Sequence, residues 1–344
     1  MRIKYQPMSH EVVTVGGGTG SPVVNEALLR TGEVNKIDAI AAVYDSGGAT
    51  GRRRLDARGQ ELAYSDAMRI LLSLVSPDQI DARPFLAIKK LLNHRDESGR
   101  VLGHEVFNHF SDTAAGFSEI EEIITDLGLT LKGRVLPSST QPSNITFITQ
   151  SGRIFTGEHF LDDQRMSEDM VTQMHLDPSV DAYTAAADAI AEAELIILSC
   201  GSLYGSVLSN FLPNGMREAL AKSTAPMLLV TNLVSTRNET HGLKPIDLVN
   251  LVEQYSGKRP DGLIVPEMTR DEFESEHAEA ARLYALEGAH FLGWGDKELQ
   301  IVQNEGVQVF THQATSVIEA DNNYQLVRHD PKKLANTLKV ILPK

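Results

Sequence analysis

"VVTVGGGTGSPVV", residues 12–24, sets four glycines within five positions, between an apolar run and a segment of helical character. The apolar run is β-branched and nearly continuous, as in a strand buried on both faces of a parallel sheet. Glycine costs about 0.5–1 kcal/mol relative to alanine inside regular structure. Its repeated use here points to a backbone that something must approach closely. Ser21 suits an N-cap and Pro22 the first helical position, so a helix is expected to begin directly after Gly20. The amides of such a loop, together with the helix dipole, favour a phosphate. The spacing is not G-x-G-x-x-G, because Ser21 stands where a third glycine would, and no P-loop lysine follows.

Strand and helix alternate along the rest of the chain. "IDAIAAVYD", "ELIILS", "PMLLVTN" and "GLIVP" read as strands, separated by helical stretches such as "SDAMRILLSLV", "RPFLAIKKLL" and "KPIDLVNLVEQY". "NITFITQ" and "GRIFTGE" read as a hairpin turning at residues 151–153. This pattern predicts an α/β, Rossmann-like, doubly wound fold with a mainly parallel sheet. One domain is expected over residues 1–344, with about 76–178 as a largely helical and hairpin insertion or cap.

Charge and composition narrow the functional classes. The chain carries 32 Lys and Arg against 46 Asp and Glu, a net charge of −14. Such a chain is a poor general nucleic-acid binder, so an anion site has to be a local basic patch. Cys200 is the single cysteine, which excludes an internal disulfide and a cysteine-rich zinc site. No apolar run approaches the roughly 18 residues of a membrane span. The polar start "MRIKYQPMSH" carries no signal-peptide pattern, so a cytoplasmic location is expected.

Open parallel sheets bind ligands beyond the carboxyl ends of their strands, near a topological switch point. Beyond the opening loop, three more strand-end loops have unusual composition. "YDSGGATGRRR" joins Asp45 to Gly47, Gly48 and Thr50, and Arg52 opens the only dense basic patch. Arginine suits phosphate because its planar fork makes two hydrogen bonds at once. Asp45 falls near where a ribose-binding acid lies in a dinucleotide fold, and beside an anion cradle it could equally hold a metal. "SCGSLYGSVLSNFLP" offers the backbone of Gly201 and Ser202, with Tyr204 for stacking or for core packing. Cys200 reads as a small hydrophobe. "TNLVSTRNETHG" places Asn232 at a strand end, with Glu239 and Thr240 in the loop beyond. Elsewhere, His104 and Asn108 are spaced to share one helical face.

In this order the motifs resemble the CofD-like superfamily, and within it the gluconeogenesis-factor (YvcK-type) branch. Gly16–Gly20 matches its G-G-G-T-G, and Asp45–Arg52 its D-[DS]-G-G-[SA]-[ST]-G-R. Gly103, His104 and Asn108 match G-H-x-x-x-N; Gly201–Tyr204 with Ser206 match G-S-L-[YF]-x-S. Asn232, Ser235, Glu239 and Thr240 match N-x-x-[TS]-x-x-x-E-T, and the resemblance covers essentially the whole chain. Three departures mark a divergent member. In the P-G-D-I-R-N segment Asp66 is kept, but Met68 holds the arginine position and Arg69 the asparagine position. "SCGS" replaces G-P-G-S, and "TRNET" lacks the glycine before the glutamate.

The resemblance implies binding of a UDP-sugar such as UDP-N-acetylglucosamine, and a role in cell-wall morphogenesis and carbon metabolism. The contacts it implies come from Gly17, Gly18, Thr19 and Gly20; from Asp45, Gly47, Gly48, Thr50 and Arg52; and from Arg69, His104 and Asn108. They are completed by Gly201, Ser202, Leu203 and Tyr204, and by Asn232, Glu239 and Thr240. A homodimer is the oligomer considered. The alternative is an enzyme resembling the more distant 2-phospho-L-lactate transferase. It would transfer a phosphorus-containing group from a guanosine diphosphate-linked lactyl donor, with Mg2+ held by Asp45 and Asp66. Turnover stays open between the two readings.

Overall fold

A computed structural model of the protein describes residues 11–46, 62–111, 116–162, 169–320 and 324–342. The opening apolar run forms β1 (Glu11–Gly16), followed by β2 (Lys36–Ala41) and β3 (Gly133–Pro137). Next come β4 (Asn144–Thr149), β5 (Ile154–Thr156) and β6 (Val171–Asp177). The second half supplies β7 (Leu195–Leu198), β8 (Met227–Val230), β9 (Gly262–Pro266) and β10 (Gln308–His312). A last pair, β11 (Thr315–Ala320) and β12 (Tyr324–His329), forms a separate antiparallel ribbon.

Seven strands make one sheet in the order β10-β9-β8-β7-β1-β2-β3, and every neighbouring pair is parallel. Every residue of β7, β8 and β9 is buried, which is why "LIIL", "MLLV" and "GLIVP" read as unbroken apolar runs. The chain builds outward from β1 through β2 to β3, then returns to the other side of β1 with β7. The strand order therefore reverses between β1 and β7, and a crevice opens there beyond the strand ends.

Residues 76–178 do not stand wholly apart from this sheet. Their helices, Arg83–Leu92, Leu102–Ser111 and Phe117–Asp126, precede β3, which is an edge strand of the main sheet. A three-stranded antiparallel sheet, β5-β4-β6, follows it and contains the expected hairpin, with Gly152 at φ +82 in the turn. No helix among the described residues is long and apolar enough to cross a membrane.

The first helix differs from expectation. It runs from Gly20 to Thr31 with Thr19 as N-cap, so Ser21 and Pro22 lie inside its first turn. Close packing of Gly20 on the loop after β7 starts the helix early. Ser21 consequently does not cap; its hydroxyl is enclosed without a hydrogen-bond partner among the described residues.

Candidate functional site

The loops after β1 and β7 meet across the switch point. A Cβ on Gly20 would coincide with the carbonyl oxygen of Cys200, and one on Gly16 would lie 3.0 Å from the Ser199 Cβ. A Cβ on Gly17 would lie 2.5 Å from Asp66 Oδ2. These three glycines answer neighbours in the chain. Gly18 differs: its φ is +61, a left-handed backbone, and the nearest atom to its Cβ position is Ser206 Oγ at 3.7 Å.

Asp66, on the helix Ser65–Ser73, fixes this loop from the side of β2. Its Oδ2 accepts from the Gly18 N–H at 2.6 Å and its Oδ1 from Arg69 Nη1 at 2.9 Å. Burial, then the nearby Asp45 charge, push the Asp66 carboxyl up to about 6 against the pull of Arg69 and Gly18. Asp45 accepts from the Ser65 hydroxyl at 3.1 Å, and it lies beyond the end of β2 rather than in the strand. Met68 is buried, and its sulfur packs where a side chain on Gly103 would stand. A methionine thus suits the position, while Arg69 brings the cation to Asp66 from one residue later. His104 and Asn108 are also buried on this side; burial and then Arg69 hold the imidazole below its ordinary value.

Asp45 and Asp66, the pair that would hold Mg2+, stand close enough for the Asp45 charge to raise Asp66. Both oxygens of Asp66 are engaged, one of them by a guanidinium. Among the described residues no three His, Cys, Asp or Glu side chains converge as a metal site. Gly47, Gly48, Thr50 and Arg52 lie outside the described residues.

On the other side of the crevice, motif residues hold backbone. Asn232 Oδ1 accepts from the Gly201 N–H at 2.8 Å, and its Nδ2 donates to the Gly201 carbonyl at 2.7 Å. Glu239 Oε2 accepts from the Ser202 hydroxyl at 2.8 Å and from the Tyr204 N–H at 2.9 Å. Thr240 Oγ1 accepts from the Thr236 N–H at 2.9 Å, closing the loop that carries Glu239. The Tyr204 ring, a candidate for stacking, is only 4% exposed and packs edge-on against Tyr255. Leu203 is enclosed as well. Burial pushes the Cys200 thiol up to about 12, consistent with a small buried hydrophobe.

Together these loops line a cavity of about 610 Å3, with Thr19 and Gly20 on one wall and Gly201, Ser202 and Asn232 on another. Its lining adds residues not singled out in the sequence: Arg237 in the loop after β8, and Arg328 and His329 at the end of β12. His329 Nε2 lies 3.0 Å from the carbonyl of Thr231, immediately before Asn232.

Acid sensitivity follows from the buried groups. Burial lowers His329 from 6.5 to about 4, and burial with the neighbouring His329 lowers His312 to about 3. Unfolded imidazoles take up protons below 6.5 while these do not. Their stabilisation is therefore complete above that pH and is lost as the pH falls towards 4. Asp66 has the opposite sign. Its raised carboxyl protonates first in the folded state, so it adds stability as the pH drops from about 6 towards 3.8. The urea midpoint of Asp66→Asn is expected to fall more steeply than wild type between about pH 6 and 4. Parallel profiles would show that Asp66 titrates normally.

Fold and site together define a doubly wound α/β protein with a crevice at its switch point. The sequence matches the family described as 2-phospho-L-lactate transferase CofD over residues 12–314, and the chain belongs to that family. Its relatives place it in the gluconeogenesis-factor branch. It is 28% identical to the gluconeogenesis factor of Listeria monocytogenes over 72% of this chain and 74% of that one. It is 27% identical to the gluconeogenesis factor of Bacillus subtilis over 95% and 96% of the two chains. A crystal structure of a UPF0052-family protein from Bacillus halodurans superposes with a TM-score of 0.79 at 26% identity. That alignment covers 97% of this chain and 100% of the other.

Proposed function

We propose that the crevice binds a nucleotide sugar of the UDP-sugar class, with the diphosphate against the loop Gly18–Gly20 and the start of the helix Gly20–Thr31. The observation that carries this reading is that the helix start at Thr19 and Gly20, packed against the loop of Gly201 and Ser202, lines one 610 Å3 cavity with it where the strand order reverses. The first N–H groups of a helix lack partners within it and favour negative charge. The ligand is bound without chemical change. The protein acts in the cytoplasm as a regulator of carbon metabolism and cell-wall morphogenesis.

The test is calorimetric titration with UDP-N-acetylglucosamine, with and without Mg2+. The expected result is one site per chain, affinity independent of Mg2+, and recovery of the intact nucleotide sugar. At 100 times its dissociation constant the ligand should add about 2.7 kcal/mol of stability. The family match favours a second reading, a transferase using a guanosine diphosphate-linked lactyl donor. Asp45 and Asp66 would hold the Mg2+ of that reaction, which takes one or two carboxylates together with substrate phosphates. Failure of UDP-sugars to bind, with lactyl-phosphate transfer to a deazaflavin acceptor, would establish that second reading instead.

A further inference from the structure

The two edges of the seven-stranded sheet, β3 and β10, are finished differently. Along a parallel edge strand, alternate residues turn their N–H and C=O towards the neighbour and the others turn them outward. On β3 the Ile37 N–H donates to the Lys132 carbonyl and the Ser138 N–H to the Ala41 carbonyl. Gly133, Val135 and Pro137 therefore face outward. Two of the three are blocked: Glu121 Oε1 accepts from the Val135 N–H at 3.0 Å, and Pro137 has no N–H. Such devices keep an edge from recruiting another strand.

β10 lacks them. The Gln308 N–H donates to the Asp261 carbonyl, and the His312 carbonyl accepts from the Glu267 N–H, so Val309 and Thr311 face outward. Neither finds a backbone partner on that side among the described residues, and the strand carries no proline, lysine or carboxylate. A cavity of about 1010 Å3 is lined by this edge and by Lys333, Asn336, Thr337 and Val340 of the helix Pro331–Ile341. Those four stand at i, i+3, i+4 and i+7, one stripe of that helix, while its Leu334, Leu338 and Ile341 are buried. Val340, at 85%, is the most exposed large apolar side chain among the described residues.

Charge decides which strand the edge suits. Glu267, Glu272 and Glu276 line the cavity against one cation, Lys333. Glu272 is occupied in the cap of its own helix, accepting from the Thr269 N–H and hydroxyl. Glu267 and Glu276 form no ion pair with a described residue. A second copy of the chain would bring the same carboxylates, and another −14, against this surface. A basic segment neutralises them.

The geometry points to β10 as a docking edge for an extended segment of a partner protein that carries both basic and apolar residues. The segment pairs its backbone with Val309 and Thr311 as one further strand, covers Val340, and meets Glu267 and Glu276 with its cations. This surface shares no lining residue with the 610 Å3 cavity, so it does not depend on what binds there.

The test is titration of the full chain, by fluorescence anisotropy, with a labelled peptide of alternating lysine and valine. A second peptide, N-methylated at its three central residues, has the same charge but cannot pair along either edge. Wild type is expected to bind the first at one site and the second about 10-fold more weakly or less. Thr311→Pro removes an outward N–H that β9 does not use, so the sheet keeps its own bonds while the first peptide loses about 10-fold. Glu267→Gln with Glu276→Gln should cost about 5-fold, and less in high salt. Equal binding of the two peptides by wild type would reduce the effect to charge attraction and overturn the proposal, whether or not Thr311→Pro folds. Absence of binding, or undiminished binding by folded Thr311→Pro, would overturn it too. Sedimentation of both proteins is expected to agree; a dimer that Thr311→Pro dissociates would assign the edge to a second copy and remove the basic partner.

Discussion

Alanine at position 20 is expected to cost about 3 kcal/mol of stability, the upper end for overpacking, and to abolish ligand binding. The added methyl would have to occupy the place of the Cys200 carbonyl oxygen, with the carbonyl carbon only 2.3 Å away. Both obstacles are backbone, so no side-chain rotation relieves them. Relief requires the loops after β1 and β7 to separate, and that separation destroys the wall on which a phosphate would rest. Gly18→Ala provides the control. There the new methyl meets only Ser206 Oγ at an ordinary distance, and the cost is the left-handed backbone, about 1–2 kcal/mol. Gly18→Asn should recover part of that, since asparagine tolerates this conformation. Urea unfolding of the three variants, with UDP-N-acetylglucosamine titrated into each, checks the ordering. A Gly20→Ala protein as stable as its parent would mean that the two loops are not in contact.

Glu239→Ala carries the second large effect, an expected loss of about 2–3 kcal/mol. One carboxylate oxygen serves two donors, the Ser202 hydroxyl and the Tyr204 N–H. Ser202 in turn accepts from the Gly205 N–H at 2.9 Å, so removing the acid loosens a whole turn. The Tyr204 and Gly205 amides lie in the first turn of the short helical segment Leu203–Val207, where the Glu239 and Ser202 side chains supply the acceptors that the helix itself does not. Glu239→Gln keeps an acceptor but loses the charge assistance, and should fall about midway. Equilibrium unfolding measures all three proteins. A change within about 0.5 kcal/mol for Glu239→Ala would place this residue among ordinary surface positions.

Much of this was readable in the chain because burial on both faces leaves an unmistakable trace. "LIIL" and "MLLV" can hardly be anything but central parallel strands, and the alternation between them fixes the architecture. The glycine loops showed through composition. What did not show were partners far apart in sequence: Gly18 with Asp66, Gly201 with Asn232, Gly20 with Cys200. The order β8-β7-β1 brings the last two pairs together, and it leaves no local mark. Arg237 and Arg328 look like ordinary surface arginines until the fold brings the loop after β8 and the end of β12 to one cavity. Tyr204 was open between stacking and core packing. An aromatic in a strand-end loop has the same sequence signature whether its ring faces a ligand or Tyr255, and only its enclosure distinguishes the two.

The amide of Asn232 meets both the N–H and the carbonyl of Gly201, as a neighbouring strand would. It is in effect one more rung added to the ladder between β7 and β8 after the strands themselves have ended. The entropy of holding that rung is surrendered during folding, long before a ligand arrives. Gly201 is therefore already fixed in the shape that the proposed ligand would meet. Affinity there is set by the contacts a ligand makes rather than by the work of ordering a loop, and association should proceed without a slow conformational step.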